Sequence, residues 1–225
     1  MSNGDGERST QPAMPVRGVK PVRLTSSRMA AVRCACYAAW SELLASPHEA
    51  DVRESLTRKL EVAAELDFDC RLDSVIRAYT ALEAQQLRRQ YSALFEVGSD
   101  GPPVPIREDL QTGQRSGTRE DLIRFYDYFG YRLADRFSWQ PDHLSVELEF
   151  MHYLCYGEAS GEDNVLSFQL AQADFSARHL VSWVPDLSRM VHSVAAGTLF
   201  AEVTTALSDF VVADLQWQNT TICES

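Results

Sequence analysis

Within the stretch Pro141-Asp142-His143-Leu144-Ser145-Val146-Glu147-Leu148-Glu149-Phe150-Met151 the chain sets three carboxylates and an imidazole around an apolar helical stripe. Asp142 and His143 fall in the first turn of the helix this pattern predicts. Glu147 lies one turn after His143 on the same face. Carboxylates so placed can pair with guanidinium groups of a basic peptide through charge-assisted, bidentate hydrogen bonds. His143 would then orient an acid or meet the peptide backbone. A plainer role fits the same spacing. Asp142 favours the helix N-terminus through its dipole, worth a few tenths to ~1 kcal/mol, and Glu147 is a solvated surface acid.

Other chemistry has less behind it. Glu149-Phe-Met-His152 puts two metal ligands one turn apart, but a di-metal helical bundle needs a second Glu-x-x-His and further glutamates, and no second copy occurs. There is no Gly-x-Ser-x-Gly elbow, no phosphate-binding Gly-x-x-x-x-Gly-Lys loop and no Gly-x-Gly-x-x-Gly. Tyr91, Leu94 and Phe95, spaced i, i+3, i+4, read as helix core or as one wall of a pocket. Trp183, one turn after His179, reads as core.

The elements that must carry these residues are helices. Arg28 to Ala45 repeats apolar residues at i, i+3, i+4, i+7. Ser46-Pro47-His48-Glu49 predicts a helix start, with Ser as cap and Pro in the first turn, running to about Leu66. One long helix or two shorter ones span Asp73 to about Val97. Residues 98–117, with Gly101-Pro102-Pro103-Val104-Pro105, form the clearest loop. Thr118 then opens a helix to about Phe137, and Pro141 opens another to about Tyr156. Helices over Val165 to Val184, Leu187 to Ala196 and Thr198 to Leu215 complete an all-α expectation. The whole reads as one helical domain over 26–218 after a polar tail over 1–25. A hinge near 139–142 separates an N-terminal part (26–137) from an acidic C-terminal part (138–218).

The charge supports that division. Residues 1–137 carry 19 basic against 20 acidic side chains, whereas residues 138–225 carry two against 12, so nearly all of the net −11 lies after the hinge. An acidic chain with pI near 4.9 disfavours nucleic acid and anionic membranes as partners, since both need a basic face. The first 25 residues lack the apolar run of a secretory signal. Met29 to Leu44 is interrupted by Arg33 and Glu42 and is too short to span a bilayer. The expectation is a soluble cytoplasmic protein without stable membrane association. Its five cysteines show no Cys-x-x-Cys or zinc spacing, as expected for free thiols in a reducing compartment.

Three ordered segments resemble the TorD/DmsD/NarJ family of chaperones that mature molybdenum oxidoreductases. Tyr91-x-x-Leu94-Phe95 with the Pro-rich loop at 102–105 is similar to the family's aromatic-x-x-Leu-Phe segment. Pro141-Asp142-His143-Leu144 followed by Glu147-Leu148-Glu149-Phe150-Met151 resembles its hinge. Phe175-x-x-x-His179-Leu180-x-x-Trp183-x-Pro185 resembles its late signature. The chain departs from the pattern in having Gln140 before Pro141 with Asp142 directly after, and Pro105-Ile106-Arg107-Glu108 without an aromatic. These departures suit the branch serving enzymes related to dimethylsulfide dehydrogenase, selenate reductase or chlorate reductase.

The resemblance implies an all-helical chaperone with no catalysis and no cofactor of its own. Its partner would be the apo catalytic subunit of a molybdenum oxidoreductase, held by its N-terminal, often twin-arginine, signal segment. The client would later receive a molybdopterin guanine dinucleotide cofactor. Peptide recognition is implied at Tyr91, Leu94, Phe95, Asp142 and His143, and the spacing argument adds Glu147. A metal-dependent helical-bundle enzyme and a generic helical scaffold are the alternatives.

Overall fold

The computed structural model describes residues 26–222, apart from 67, 69, 97, 100, 114–116, 134–139 and 162–163. The tail expected over 1–25 and the first hinge residue, Trp139, lie outside the described residues. Among these the chain is helical, with two isolated bridges and no strand.

Two helices, α1 (Ser26–Leu44) and α7 (Leu144–Ala159), make the most extensive packing contact. Both are apolar nearly all the way round, which is how a helix buried on several sides reads. Met29, Cys36, Trp40 and Leu43 of α1, and Leu148, Phe150, Met151 and Leu154 of α7, are fully buried. Around this pair lie α2 (Arg53–Arg58), a 3-10 turn (Val62–Glu65), α3 (Leu72–Ala81) and α4 (Ala84–Phe95). Then come α5 (Glu108–Gln111), α6 (Thr118–Tyr128), α8 (Val165–Phe175), a π-helical turn (Ser176–Leu180), α9 (Val184–Ala195) and α10 (Leu199–Ile222). The last helix packs on α9 and α3, so one core runs from Val32 to Val211. Where α7 crosses α8, Gly157 permits the approach. A Cβ there would stand 2.5 Å from the Phe168 ring.

Several boundaries differ from the sequence expectation, each for a tertiary reason. The helix expected from Ser46 to Leu66 is instead a turn, the short α2 and a 3-10 turn. Ser46 stands in a turn and not at a helix start, and its hydroxyl donates to Glu96 (3.0 Å) while His48 bonds Ser92 (2.8 Å), tying the turn to α4. Glu61, at φ +71°, then breaks the chain before the 3-10 turn. Residues 72–95 form two helices. α6 ends at Tyr128 rather than near Phe137, in a left-handed Gly130 (φ +68°). α7 opens at Leu144, not Pro141, because the His143 ring, not the proline, satisfies its first turn: His143 Nδ1 accepts from Ser145 N. The expected 165–184 helix switches to a π turn at Ser176.

Candidate functional site

The loop after α4 is fastened to the hinge by main-chain bonds. Val104 N donates to Leu94 O (3.0 Å), Glu108 N to Asp142 O (3.0 Å) and Leu144 N to Ile106 O (3.1 Å). Residues 107 and 143 thus form a short antiparallel bridge. Side chains repeat the attachment. Arg107 reaches Asp142 through Nη2 (3.0 Å) and Nε (3.2 and 3.3 Å), with Asp109 at 3.4 Å and Arg119 3.6 Å from Asp142. Burial of Asp142 works against its charge, but contacts from Asp109 and Arg107 outweigh it and hold the carboxyl below its ordinary range. Asp109 is pushed up to about 6 by burial and by Asp142 beside it.

Behind this latch lies a second polar chain, wholly inside the protein. Glu108 Oε2 meets His179 Nδ1 at 2.9 Å, and Trp183 Nε1 donates to Glu147 Oε2 (3.3 Å) and to His179 O (2.5 Å). A tight turn just after the π segment makes the last bond available. Trp183 N bonds Leu180 O instead of His179 O, which leaves that carbonyl for the indole. Glu147 has 0% exposure, and its Oε1 finds no hydrogen-bond partner among the described residues. Burial, with Glu108 and Asp142 nearby, pushes its carboxyl well above the ordinary range, favouring the neutral acid in the folded protein.

In front of the latch is an open cleft of about 380 Å³. Tyr91, Phe95, Pro102, Ile106 and Leu110 give it apolar surface, and Arg107, His143, Ser46, Glu49 and Glu96 line it with polar and charged groups. Tyr91 and Phe95 meet edge to face (5.1 Å), and both lean on Phe200 at 5.6 and 5.7 Å. Tyr91 OH donates to Leu44 O. His143 is 8% exposed and its burial lowers its pKa to about 4, so it lines the cleft as a neutral ring.

The structure therefore separates the six candidate residues. Tyr91, Phe95 and His143, distant in sequence, share the cleft wall. Leu94, Asp142 and Glu147 are buried and do not line it. Asp142 has 0% exposure and is committed to Arg107, and Glu147 is not the solvated acid its helical spacing allowed.

Sequence reasoning passed over Arg107, Glu108 and His179 as polar partners. Two adjacent charges in a proline-rich loop were the signal available for the first two. It also passed over a buried cluster on the far side of α1. Arg33 Nε and Nη2 bind Asp214 at 2.6 and 2.9 Å, and Nη1 binds Gln172 (2.6 Å), while Tyr37 and Gln218 donate to the same carboxylate. An arginine interrupting the apolar run of α1 was the signal there.

The Glu149-x-x-His152 pair gathers no third ligand: among the described residues no group of three His, Cys, Asp or Glu could hold a metal ion. His152 Nδ1 instead faces Cys34 O at 2.9 Å. Among the described residues no helix is long and apolar enough to cross a membrane.

Comparison with known proteins fits this architecture. Residues 45–189 match the family model described as nitrate reductase delta subunit. The chain is 34% identical over 139 residues to the selenate reductase assembly chaperone protein of Thauera selenatis, covering 59% of this chain and 70% of that one. It is 34% identical over 137 residues to the chlorate reductase assembly chaperone protein of Ideonella dechloratans, covering 58% and 69%. The perchlorate reductase assembly chaperone protein of Dechloromonas aromatica is 34% identical over 127 residues, covering 54% and 57%. In fold, the chain is similar to a crystal structure described as a redox enzyme maturation protein from Archaeoglobus fulgidus. The TM-score is 0.51 at 15% identity, covering 87% of this chain and 99% of that one.

Proposed function

The chain belongs to the nitrate reductase delta subunit family, and from that premise we propose that it is an assembly chaperone for the catalytic subunit of a molybdenum oxidoreductase. It binds the apo subunit by its N-terminal, twin-arginine segment in the cytoplasm. It releases the subunit once the molybdopterin guanine dinucleotide cofactor is in place, with no catalytic step of its own. Relatives named as assembly chaperones for selenate, chlorate and perchlorate reductases support the chaperone role.

The observation that carries the site is the cleft itself. It is open and apolar-walled, it carries carboxylates, and it is lined by residues from both the aromatic segment and the hinge. An apolar groove bearing acidic groups suits a peptide that joins a basic region to an apolar one. Within this reading Tyr91, Phe95 and His143 contact the peptide. Leu94, Asp142 and Glu147 act from behind, Asp142 by clamping Arg107 so that the loop keeps its shape.

The test is calorimetric titration of the full chain with synthetic N-terminal segments of selenate, chlorate and perchlorate reductase catalytic subunits. Saturable binding is expected for at least one. Leu110→Ser, at a cleft residue 37% exposed, should weaken it without unfolding the protein. Absence of binding to all three segments, or turnover that depends on iron or zinc, would remove the reading.

A further inference from the structure

The segment that precedes α1 has the chemistry the aromatic cleft selects. Between Arg8 and Thr25 it carries four bases, Arg8, Arg17, Lys20 and Arg23, and no acid. Removing the four bases and two acids of residues 1–25 from the chain's 21 and 32 leaves 17 against 30, so residues 26–225 carry a net −13. The longest apolar run of the segment is Pro12-Ala13-Met14-Pro15-Val16. Prolines three residues apart favour the extended polyproline form, which presents carbonyls and few N–H groups and is recognised in aromatic-lined grooves.

Chain length puts this run at the cleft. Helix α1 has 19 residues, which makes it about 27 Å long. The cleft begins just past its far end, at Ser46. Nine extended residues, Arg17 to Thr25, cover about 30 Å. Laid back along α1 from Ser26, they deliver Pro12–Val16 to Tyr91, Phe95 and Leu110. The face of α1 they would follow is half-buried and mostly small: Cys34, Ala35, Ala38, Ser41, Glu42 and Ala45. A cavity of about 350 Å³ continues that face into the cleft, sharing Ser46 and Glu49 with it. Carboxylates outnumber cations along this path, Glu42, Glu49, Glu96 and Glu149 against Arg107 and the Lys59 that pairs with Glu42. Because Glu42 and Glu96 already have partners, the charge supplies the sign of the field and not a cation site.

The cleft also offers a donor for such a strand. His143 Nδ1 accepts from Ser145 N (3.2 Å), which leaves the proton of the neutral ring on Nε2. That nitrogen has no hydrogen-bond partner among the described residues, and the ring lines the cleft. It is placed to donate to a carbonyl of a proline-rich backbone. Resting on the cleft's role proposed above, we infer that Pro12–Val16 fills the aromatic cleft of its own chain, and that a client segment binds by displacing it. A tether of this length gives an effective concentration of about 1 mM. With a dissociation constant of about 100 µM for the run itself, affinity for an added peptide falls about tenfold.

The experiment compares the full chain with two full-length variants, Met14→Ser/Val16→Ser and Arg17→Gln/Lys20→Gln/Arg23→Gln, none of whose positions belongs to the described core. The probes are the N-terminal segments of selenate, chlorate and perchlorate reductase catalytic subunits, titrated calorimetrically. The first variant should bind at least one segment about five- to tenfold more tightly than the wild type. The second should gain about two- to fivefold, a difference that high salt removes. A photo-crosslinking residue at position 14 should, without peptide, label residues 91–110 of the same chain, and excess segment should suppress the label. Affinity unchanged in both variants overturns the internal ligand and leaves the chaperone reading standing, as do crosslinks outside the cleft or between two copies. A position-14 crosslink into the cleft, with no segment bound by any of the three proteins, keeps the internal contact and overturns the function proposed above.

Discussion

Replacing Glu147 by glutamine should make the protein more stable, by an amount that grows with pH. In the folded chain Glu147 is buried against Trp183 and Glu108, and its carboxyl titrates well above the ordinary range. In the unfolded chain it titrates near 4.5. Above that pH the unfolded state has released a proton that the folded Glu147 keeps. The native state then binds one more proton than the unfolded state, and stability must fall as pH rises. For one proton the slope is about 1.4 kcal/mol per pH unit. In Glu147→Gln the side-chain amide retains an oxygen for the Trp183 indole. It has no proton to lose, so the variant lacks this slope. From about pH 4.5 up to the raised folded value the variant should gain on the wild type by up to about 1.4 kcal/mol per pH unit, each kcal/mol being about 2–4 °C in Tm for a domain of this size. Urea unfolding at a series of pH values, followed by Trp fluorescence, measures it. A stability difference that does not change with pH would show that Glu147 is already ionised in the fold, and the account of the buried network would be wrong.

Arg33→Met leaves Asp214 buried without its cation, because Arg33 is 1% exposed and supplies both bidentate bonds. A loss of about 3–5 kcal/mol is expected by urea unfolding, and Asp214→Leu added to it should recover part. A loss under about 1 kcal/mol would mean that Tyr37 and Gln218 suffice. Gly157→Ala must displace Phe168 and should lower stability by about 1–3 kcal/mol in thermal unfolding, whereas an unchanged Tm would mean that α8 shifts freely.

The amino-acid pattern determined the helical class, because apolar spacing of 3.6 survives any arrangement of the helices. It also picked out Tyr91-x-x-Leu94-Phe95 and Asp142-His143 as segments worth watching, and it located the acidic half, since charge is a property of composition. Which side chains would be inside could not be read the same way. Glu147 occupies a helical position that would be solvated on an isolated helix. It is buried where the helices pack, under the Trp183 indole, which bonds both it and the His179 carbonyl. Asp142 was legible as an acid at a helix start, but its partner Arg107 lies 35 residues earlier, and only the bridge between the loop and the hinge brings them together. Ser46 had every local reason to cap a helix, yet it stands in a turn and bonds Glu96 far along the chain. Local periodicity fixes what each segment can be. Burial, ion pairing and cleft walls are set by residues far apart in sequence, whose meeting is decided only when the helices pack.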